Sequence, residues 1–342
     1  MGDLSLSSDL YFNLNAFHPD ALAASTKQLN DALIERCKAD KKWYTIGAAE
    51  YRKRRAAGHT PFPPAPKLDH AVEFTIKSAR GGHEIPVRVL SRSAETNPKG
   101  VYYHIHGGGF VIGAAAGQDL LLDEIAKKTG LVVVSVEYRL APEHPFPAGP
   151  EDCFDVADWL VANARSKFNS DLKFIGGESA GATLTALTLL HLRRTNNLPP
   201  TLLGAIFNYG CFDLSYLPSV RALDPSRPLI LSYSDALHFA SAFLPGRDAE
   251  GKRLPDVSAL YNDVAGLGSA FFLVGTEDGL VDDTVLMSAK WRVAGNEAVV
   301  KFAPGAPHGF MTFDGAKVEI TRLGWDWMVQ YIQSKLCCGL SH

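Results

Sequence analysis

Along this chain, short uninterrupted apolar runs alternate with stretches in which apolar positions return every three or four residues. Runs such as Leu131-Val132-Val133-Val134 and Ala270-Phe271-Phe272-Leu273-Val274 show no polar alternation, the signature of strands buried on both faces. Comparable runs predict strands around 72–77, 85–91, 101–106, 131–137, 172–176, 203–209, 270–275 and 298–303. Helical spacing fills 118–129, 151–165, 180–194, 284–294 and 316–336. Strands and helices that alternate in this way predict an α/β fold: a mostly parallel eight-stranded sheet with helices on both faces. Gly81-Gly82, between the first two runs, predicts an antiparallel hairpin leading into it.

Two regions depart from the alternation. Residues 18–57 read as helical from Pro19 or Asp20 onward, with Leu22, Leu29, Leu33 and Ile34 at helical spacing. A proline-rich linker, Thr60 to Pro66, separates them from the first strand. Residues 213–255 hold several prolines, no convincing strand and one helical stretch, Ser234–Phe243. Their aromatic content argues against disorder, and long loops in compact domains commonly form lids. The expected organisation is therefore an N-terminal helical part of a cap at 1–60, an α/β core at 61–212 and 256–342, and a cap insertion at 213–255.

Composition changes this picture little. With 46% hydrophobic and 21% charged residues over 342 positions, the chain can bury a large core without metal or disulfide staples. The five cysteines, Cys37, Cys153, Cys211, Cys337 and Cys338, are scattered and odd in number, so free thiols are expected. A formal net charge of −3 gives no footprint for nucleic acid. The run Arg52-Lys53-Arg54-Arg55 reads as a solvated helix face. No stretch is long and apolar enough to span a membrane. Asp3 and Asp9 with no basic n-region argue against a leader, and Leu6 stands where an acylation pattern wants Ser or Thr. The internal Ser334-Lys335-Leu336 cannot serve as a C-terminal address, so the cytosol is the expected location.

Candidate chemistry clusters at strand ends. Gly177-Glu178-Ser179-Ala180-Gly181 follows an apolar strand and opens a helix, which matches the G-x-S-x-G turn that lifts a nucleophilic serine above a sheet. Small residues flank the serine because strand and helix must approach closely, and the helix N-terminus favours developing negative charge. His106-Gly107-Gly108-Gly109 ends another strand; backbone N–H groups there can face a tetrahedral oxyanion that side chains would block. The expected donors are the amides of Gly108, Gly109 and Ala180. His104-Ile105-His106 lacks the carboxylate company of a metal site, and the glycine run lacks dinucleotide spacing. Gly246 to Lys252 has P-loop spacing, but Arg253 replaces the required Ser or Thr and no strand precedes it.

A serine nucleophile needs a base and an orienting acid, which in this arrangement follow it in the order acid, then histidine. Asp278 ends the strand at 270–275, and His308 opens the loop after the last strand. Glu277, Asp282 and Asp283 compete for the acid role, Asp278 being preferred and Asp282 next.

With these motifs in hand, the chain resembles the hormone-sensitive-lipase family of α/β-hydrolases. Glu137 to Ala148 (EYRLAPEHPFPA) is close to that family's signature, with Arg139 and the prolines expected to brace the loop behind the oxyanion donors. The resemblance spans roughly residues 68–335 and is weakest in the N-terminal helices and at 213–255. Glu178 stands where Asp is commoner, and Gly268-Ser269 replaces the usual proline pair. The resemblance implies a carboxylesterase of small-molecule esters with Ser179, Asp278 and His308 as catalytic triad, no cofactor and no metal. Amide or aryl-formamide hydrolysis with the same triad is the enzymatic alternative. A non-catalytic small-molecule receptor is disfavoured because His308 is retained.

Overall fold

The computed structural model describes residues 11–64, 66–91 and 97–338, without the side chain of Cys338. The readings made on residues 1–10, on Ala65 and on the thiol of Cys338 lie outside the described residues. The described residues open with short 3₁₀ turns and three helices, α1 (Ala24–Ala39), α2 (Trp43–Ile46) and α3 (Ala48–Ala56). The helical stretch expected at 18–57 is thus broken, at Asp40–Lys42 and at Gly47, whose φ of 88° is open to glycine. Next come β1 (Val72–Lys77), β2 (Glu84–Leu90), β3 (Gly100–Ile105), α4 (Asp119–Thr129), β4 (Leu131–Val136), α5 (Ala148–Phe168), β5 (Leu172–Glu178), α6 (Ala180–Arg194) and β6 (Gly204–Asn208). The remainder holds α7 (Pro218–Arg221), α8 (Tyr233–Phe243), β7 (Ala270–Gly275), α9 (Val281–Val293), β8 (Ala298–Ala303) and α10 (Glu319–Cys338).

The strands form one eight-stranded sheet in the order β1-β2-β4-β3-β5-β6-β7-β8. The hairpin β1-β2 is antiparallel, as is the pairing of β2 with β4; every other pairing is parallel. β3, β4, β5, β6 and β7 are almost wholly buried, which explains their unbroken apolar runs: both faces are covered. Val101, Tyr103 and Ile105 of β3 face one core with α5, α6 and α9, while Tyr102 faces the other with α4 and α10. Period-two alternation thereby feeds two helix layers from one strand. Among the described residues, no helix is long and apolar enough to cross a membrane.

One polar contact pins the hairpin to this core. Arg88 on β2 donates from Nε to Asp119 Oδ1 at 2.8 Å and from Nη2 to Oδ2 at 2.5 Å, and Leu68 N–H donates to Oδ2 at 2.8 Å. The two side chains are 8% and 0% exposed; without Asp119 the buried guanidinium would keep only Glu73, 63% exposed, as counter-charge and Leu68 O as acceptor. Asp119→Ala is therefore expected to cost about 3–5 kcal/mol, whereas the apolar pair Arg88→Met/Asp119→Leu should cost clearly less. Urea unfolding of both variants checks this; equal losses would mean that the pair acts through packing alone.

Candidate active site

Four loops meet at the C-terminal ends of parallel strands, where crevices of such sheets lie. The first follows β5. Ser179 joins β5 to α6 in a backbone of φ 55° and ψ −121°, a conformation costly for a non-glycine residue and held only by its surroundings. Its N–H donates to Asn208 O, at the end of β6, at 2.9 Å. A Cβ at Gly181 would stand 2.0 Å from Ile105 O, and one at Gly177 would stand 2.2 Å from the same oxygen. Both positions of the G-x-S-x-G pattern therefore require glycine because α6 and β5 press on the end of β3.

The serine faces a histidine. Ser179 Oγ lies 2.9 Å from His308 Nε2, and His308 Nδ1 lies 2.9 Å from Asp278 Oδ2. Asp278 presents only acceptor oxygens when ionised, so Nδ1–H donates to it and the Nε2 lone pair is left to accept from the serine hydroxyl. The Asp278 side chain is 0% exposed, and Leu280 N–H holds its other oxygen at 2.9 Å. The rival acids have other partners. Glu277 accepts from Arg227 at 2.7 Å, and Asp282 accepts from the N–H and hydroxyl of Ser219 at 2.8 and 2.7 Å. Asp283 accepts from Phe212 and Asp213 N–H. Tyr209, which the sequence did not single out, packs its ring edgewise on His308 with centroids 5.1 Å apart.

The glycine loop after β3 borders the same space. Gly108 and Gly109 have φ of 122° and 59°, and a Cβ at Gly108 would overlap Ile112 O at 1.6 Å. Ala180 opens α6, so its N–H has no intrahelical acceptor. Among the described residues, the turn and loop backbone hydrogen bonds use none of the amides of Gly108, Gly109 and Ala180, and all three residues line the cavity beside Ser179. His104 bridges Ser135 Oγ and Glu178 Oε2, each at 2.8 Å. His106 stacks on Tyr138 at 4.2 Å, burial pushing its pKa down, and Tyr138 Oη donates to His106 O at 2.9 Å. Both histidines thus stiffen the strand end. Arg139 grips Asp152 through Nε and Nη2 and donates to Ala148 O at 3.2 Å, bracing the segment that leads into α5.

The basic run is not a solvated face. Arg52 turns inward from α3, donating to Val111 O and Ala141 O at 2.7 Å each and to both oxygens of Glu143 at 2.9 Å. It clamps the glycine loop to the EYRLAPEHPFPA segment across long sequence distances. Arg55 is half-buried over the ring of Phe62, and Lys53 alone of the four is exposed.

Residues 213–255 and the N-terminal helices lie together over Ser179. Trp43 stacks on Phe239 at 5.3 Å, Tyr44 stacks on His238 at 3.6 Å, and Lys42 Nζ sits 3.0 Å from Asp235. Beneath them is a cavity of about 440 Å³ lined by Trp43, Leu214, Tyr216, Leu231, Phe239, Ser179 and His308 among others. Of the large apolar groups in the 213–255 segment, Tyr216, Leu231 and Phe239 line it, whereas Leu217, Tyr233 and Phe243 do not. Phe243 instead stacks on Phe110 at 4.0 Å, and Tyr233 meets Tyr216 edge-on. The glycine-rich segment 246–252 is a turn in which Arg247 pairs with Asp256 and Gly251 N–H donates to Asp248. Cys37, Cys153 and Cys211 are buried free thiols and Cys337 an exposed one.

Comparison with known proteins places this arrangement among others. Residues 102–312 match the family described as alpha/beta hydrolase fold. A carboxylesterase of Mycobacterium tuberculosis, NlhH, is 30% identical over 262 residues, covering 73% of this chain and 79% of that protein. An ethyl acetate hydrolase of Pseudomonas putida is 28% identical over 265 residues, covering 76% and 81%. Among solved structures, a hyperthermophilic esterase from Pyrobaculum calidifontis superposes with a TM-score of 0.77 at 26% identity, covering 92% of this chain and 98% of that one.

Asp283 has a different part from the one weighed for it in the sequence. It holds the backbone at Phe212 and Asp213, the root of the 213–255 segment, at 2.6 and 2.9 Å. Burial pushes its carboxyl up to about 8, outweighing the two N–H groups that pull it down. The folded protein then keeps a proton that the unfolded chain releases near pH 4. Stability should fall as pH rises through that window and level off above the folded value. Asp283→Asn, which cannot ionise, should lose less stability between pH 5 and pH 8.5 than the parent. Thermal unfolding at the two pH values tests this; parallel losses in both proteins would show that Asp283 is already ionised when folded.

Proposed function

The chain belongs to the hormone-sensitive-lipase-like family of α/β-hydrolases, and we propose that it works as a serine carboxylesterase with Ser179, His308 and Asp278 as its catalytic triad. The observation that carries this reading is the hydrogen-bonded line from Ser179 Oγ through His308 to buried Asp278, opening on a cavity walled by aromatic and aliphatic side chains. The carboxylesterase and ethyl acetate hydrolase names of the relatives support ester hydrolysis.

In the proposed reaction, His308 Nε2 takes the Ser179 proton as Oγ attacks the ester carbonyl. The resulting imidazolium is stabilised by Asp278, which also fixes the tautomer that makes Nε2 the base. Negative charge collects on the carbonyl oxygen, and the amides of Gly108, Gly109 and Ala180 are its donors. Collapse breaks the C–O bond, and the alcohol leaves with the proton from His308. Water, deprotonated by the same nitrogen, then attacks the acyl-enzyme and releases the acid. Nothing in this cycle calls on a cofactor.

The cap reading sets the substrate size. A cavity of about 440 Å³ lies toward the small end of roughly 300–1,000 Å³ for ligand sites. Each acyl methylene that fits should gain about 0.8 kcal/mol, and the gain should end where Trp43, Tyr216, Leu231 and Phe239 close the space.

Two measurements follow from these roles. Ser179→Ala should abolish labelling by an organophosphonate and lower turnover by ~10⁶-fold, while Asp278→Asn should cost about 10⁴-fold and Asp282→Asn far less. Labelling of another serine, or a larger loss at Asp282, would reassign the site. Over p-nitrophenyl esters of increasing acyl length, kcat/KM should peak at about C4 to C8, with no jump in rate on an emulsified phase. A maximum at long chains or a jump at the oil–water boundary would make the protein a lipase instead.

A further inference from the structure

The cavity above Ser179 contains more cationic charge than its acids balance. Its carboxylates are already engaged: Asp235 with Lys42 at 3.0 Å, Glu178 with His104 at 2.8 Å, and Asp40 with Tyr51 Oη at 2.7 Å and Arg54 at 3.8 Å. Arg52 is committed to Glu143 and two carbonyls. Arg55 and Lys67 remain. Both line the cavity, and among the described residues neither has a hydrogen bond or ion pair to an acid.

Arg55 is the better placed of the two. It is half-buried, whereas Lys67 is exposed. Its guanidinium carbon lies 4.6 Å from the centroid of the Phe62 ring. Among the described residues Arg55 spends no N–H on an acid, so its guanidinium fork stays open to a carboxylate, which it can bind bidentately. Phe62 fixes where the fork stands, because its ring edge would be 2.8 Å from a Cβ at Gly309, the residue after His308. One aromatic ring thus separates Arg55 from the loop that carries the base. A cation in such a place has lost water without gaining a counter-charge, which is costly, and burial pushes its pKa down.

From this arrangement we infer that Arg55 is the anchor for a free carboxylate carried by the substrate, so that the preferred esters are anionic. The inference rests on the esterase reading above and narrows it. Hydrolysis of such an ester consumes one water, breaks the ester C–O bond and leaves the anchoring carboxylate unchanged. An apolar cavity then binds the carbon skeleton, and the charged end pairs with Arg55. Lys67, at the exposed margin, adds attraction at longer range.

The test compares matched ester pairs in wild type and Arg55→Met, each rate normalised to the organophosphonate titre so that only folded sites count. For a carboxylate on the acyl side the pair is p-nitrophenyl hydrogen glutarate and p-nitrophenyl hexanoate. For the alcohol side it is p-acetoxybenzoate and p-tolyl acetate. The charged-to-neutral ratio of kcat/KM should fall about 10- to 100-fold in Arg55→Met for one of the pairs, as expected for loss of a charge-assisted hydrogen bond, and Arg55→Lys should recover part of it. Ratios that match wild type in both pairs would overturn the inference. If Arg55→Met does not fold, the wild-type ratio should drop as salt is raised, and a ratio indifferent to salt would overturn it. If wild type cleaves none of the four esters, the esterase reading fails separately. Calorimetric titration of Ser179→Ala with monomethyl glutarate then decides: binding that disappears in Ser179→Ala/Arg55→Met upholds the anchor, and absence of binding ends it.

Discussion

The arrangement depends on one backbone contact without side chains: α6 and β5 resting on Ile105 O at the end of β3. Glycine at 177 and 181 lets these segments meet, and the meeting forces Ser179 into its positive-φ conformation. The glycine loop of 107–109 begins two residues beyond that carbonyl. Ser179 and the amides beside it are therefore set relative to one another by main chain against main chain, over a few ångströms. Main-chain contacts have no rotamers to lose, so this part of the geometry is set before any side chain is counted. The hydrogen bond from Ser179 N–H to Asn208 O adds the third strand.

A second tier of contacts ties the N-terminal helices and the 213–255 segment to that arrangement. Arg52 reaches from α3 to Val111, Ala141 and Glu143, and Phe239 of α8 fills the space over Gly109, where a Cβ would be 2.4 Å from its ring. Trp43 and Lys42 join the N-terminal helices to α8 through Phe239 and Asp235. The segments that shape the pocket are thus also those that hold the oxyanion-side loop in place. A change in these segments that enlarges the pocket would disturb the loop through Phe239 as well.

The elements legible in the sequence were those written in local code. Eight strands, the hairpin and the main helices follow from apolar periodicity, because burial on both faces leaves its mark within a few residues. Ser179, His308 and Asp278 were recognisable as strand-end residues in a fixed order, and the structure brings them within hydrogen-bonding distance. What stayed hidden depends on contacts distant in sequence. Nothing local distinguishes Arg52 from a solvated arginine, since its partners lie some 90 residues on. Phe239 and Phe243 share a face of α8 by spacing, yet only the first reaches the cavity; that depends on how the helix lies across the sheet. Of the four neighbouring acids, Asp278 is the one hydrogen-bonded to His308, while the other three are held by Arg227, Ser219 and the 212–213 backbone.

Stability considerations explain why the strain sits where it does. Around the elbow, Glu178 Oε1, His106 Nε2 and Asn208 Oδ1 are buried and have no hydrogen-bond partner among the described residues, an arrangement that costs free energy where no other partner is supplied. The backbone of Ser179 adds a further cost. Such a concentration of unfavourable groups would unfold a small domain. It is tolerable here because the sheet is covered on both faces by two large apolar clusters. These clusters contribute little specificity of their own, but they hold the strand ends rigid while the polar layer above them remains incompletely satisfied. Local rules fail in that layer, where polar groups around Ser179 and the 107–109 loop keep hydrogen-bonding capacity that the described residues do not use.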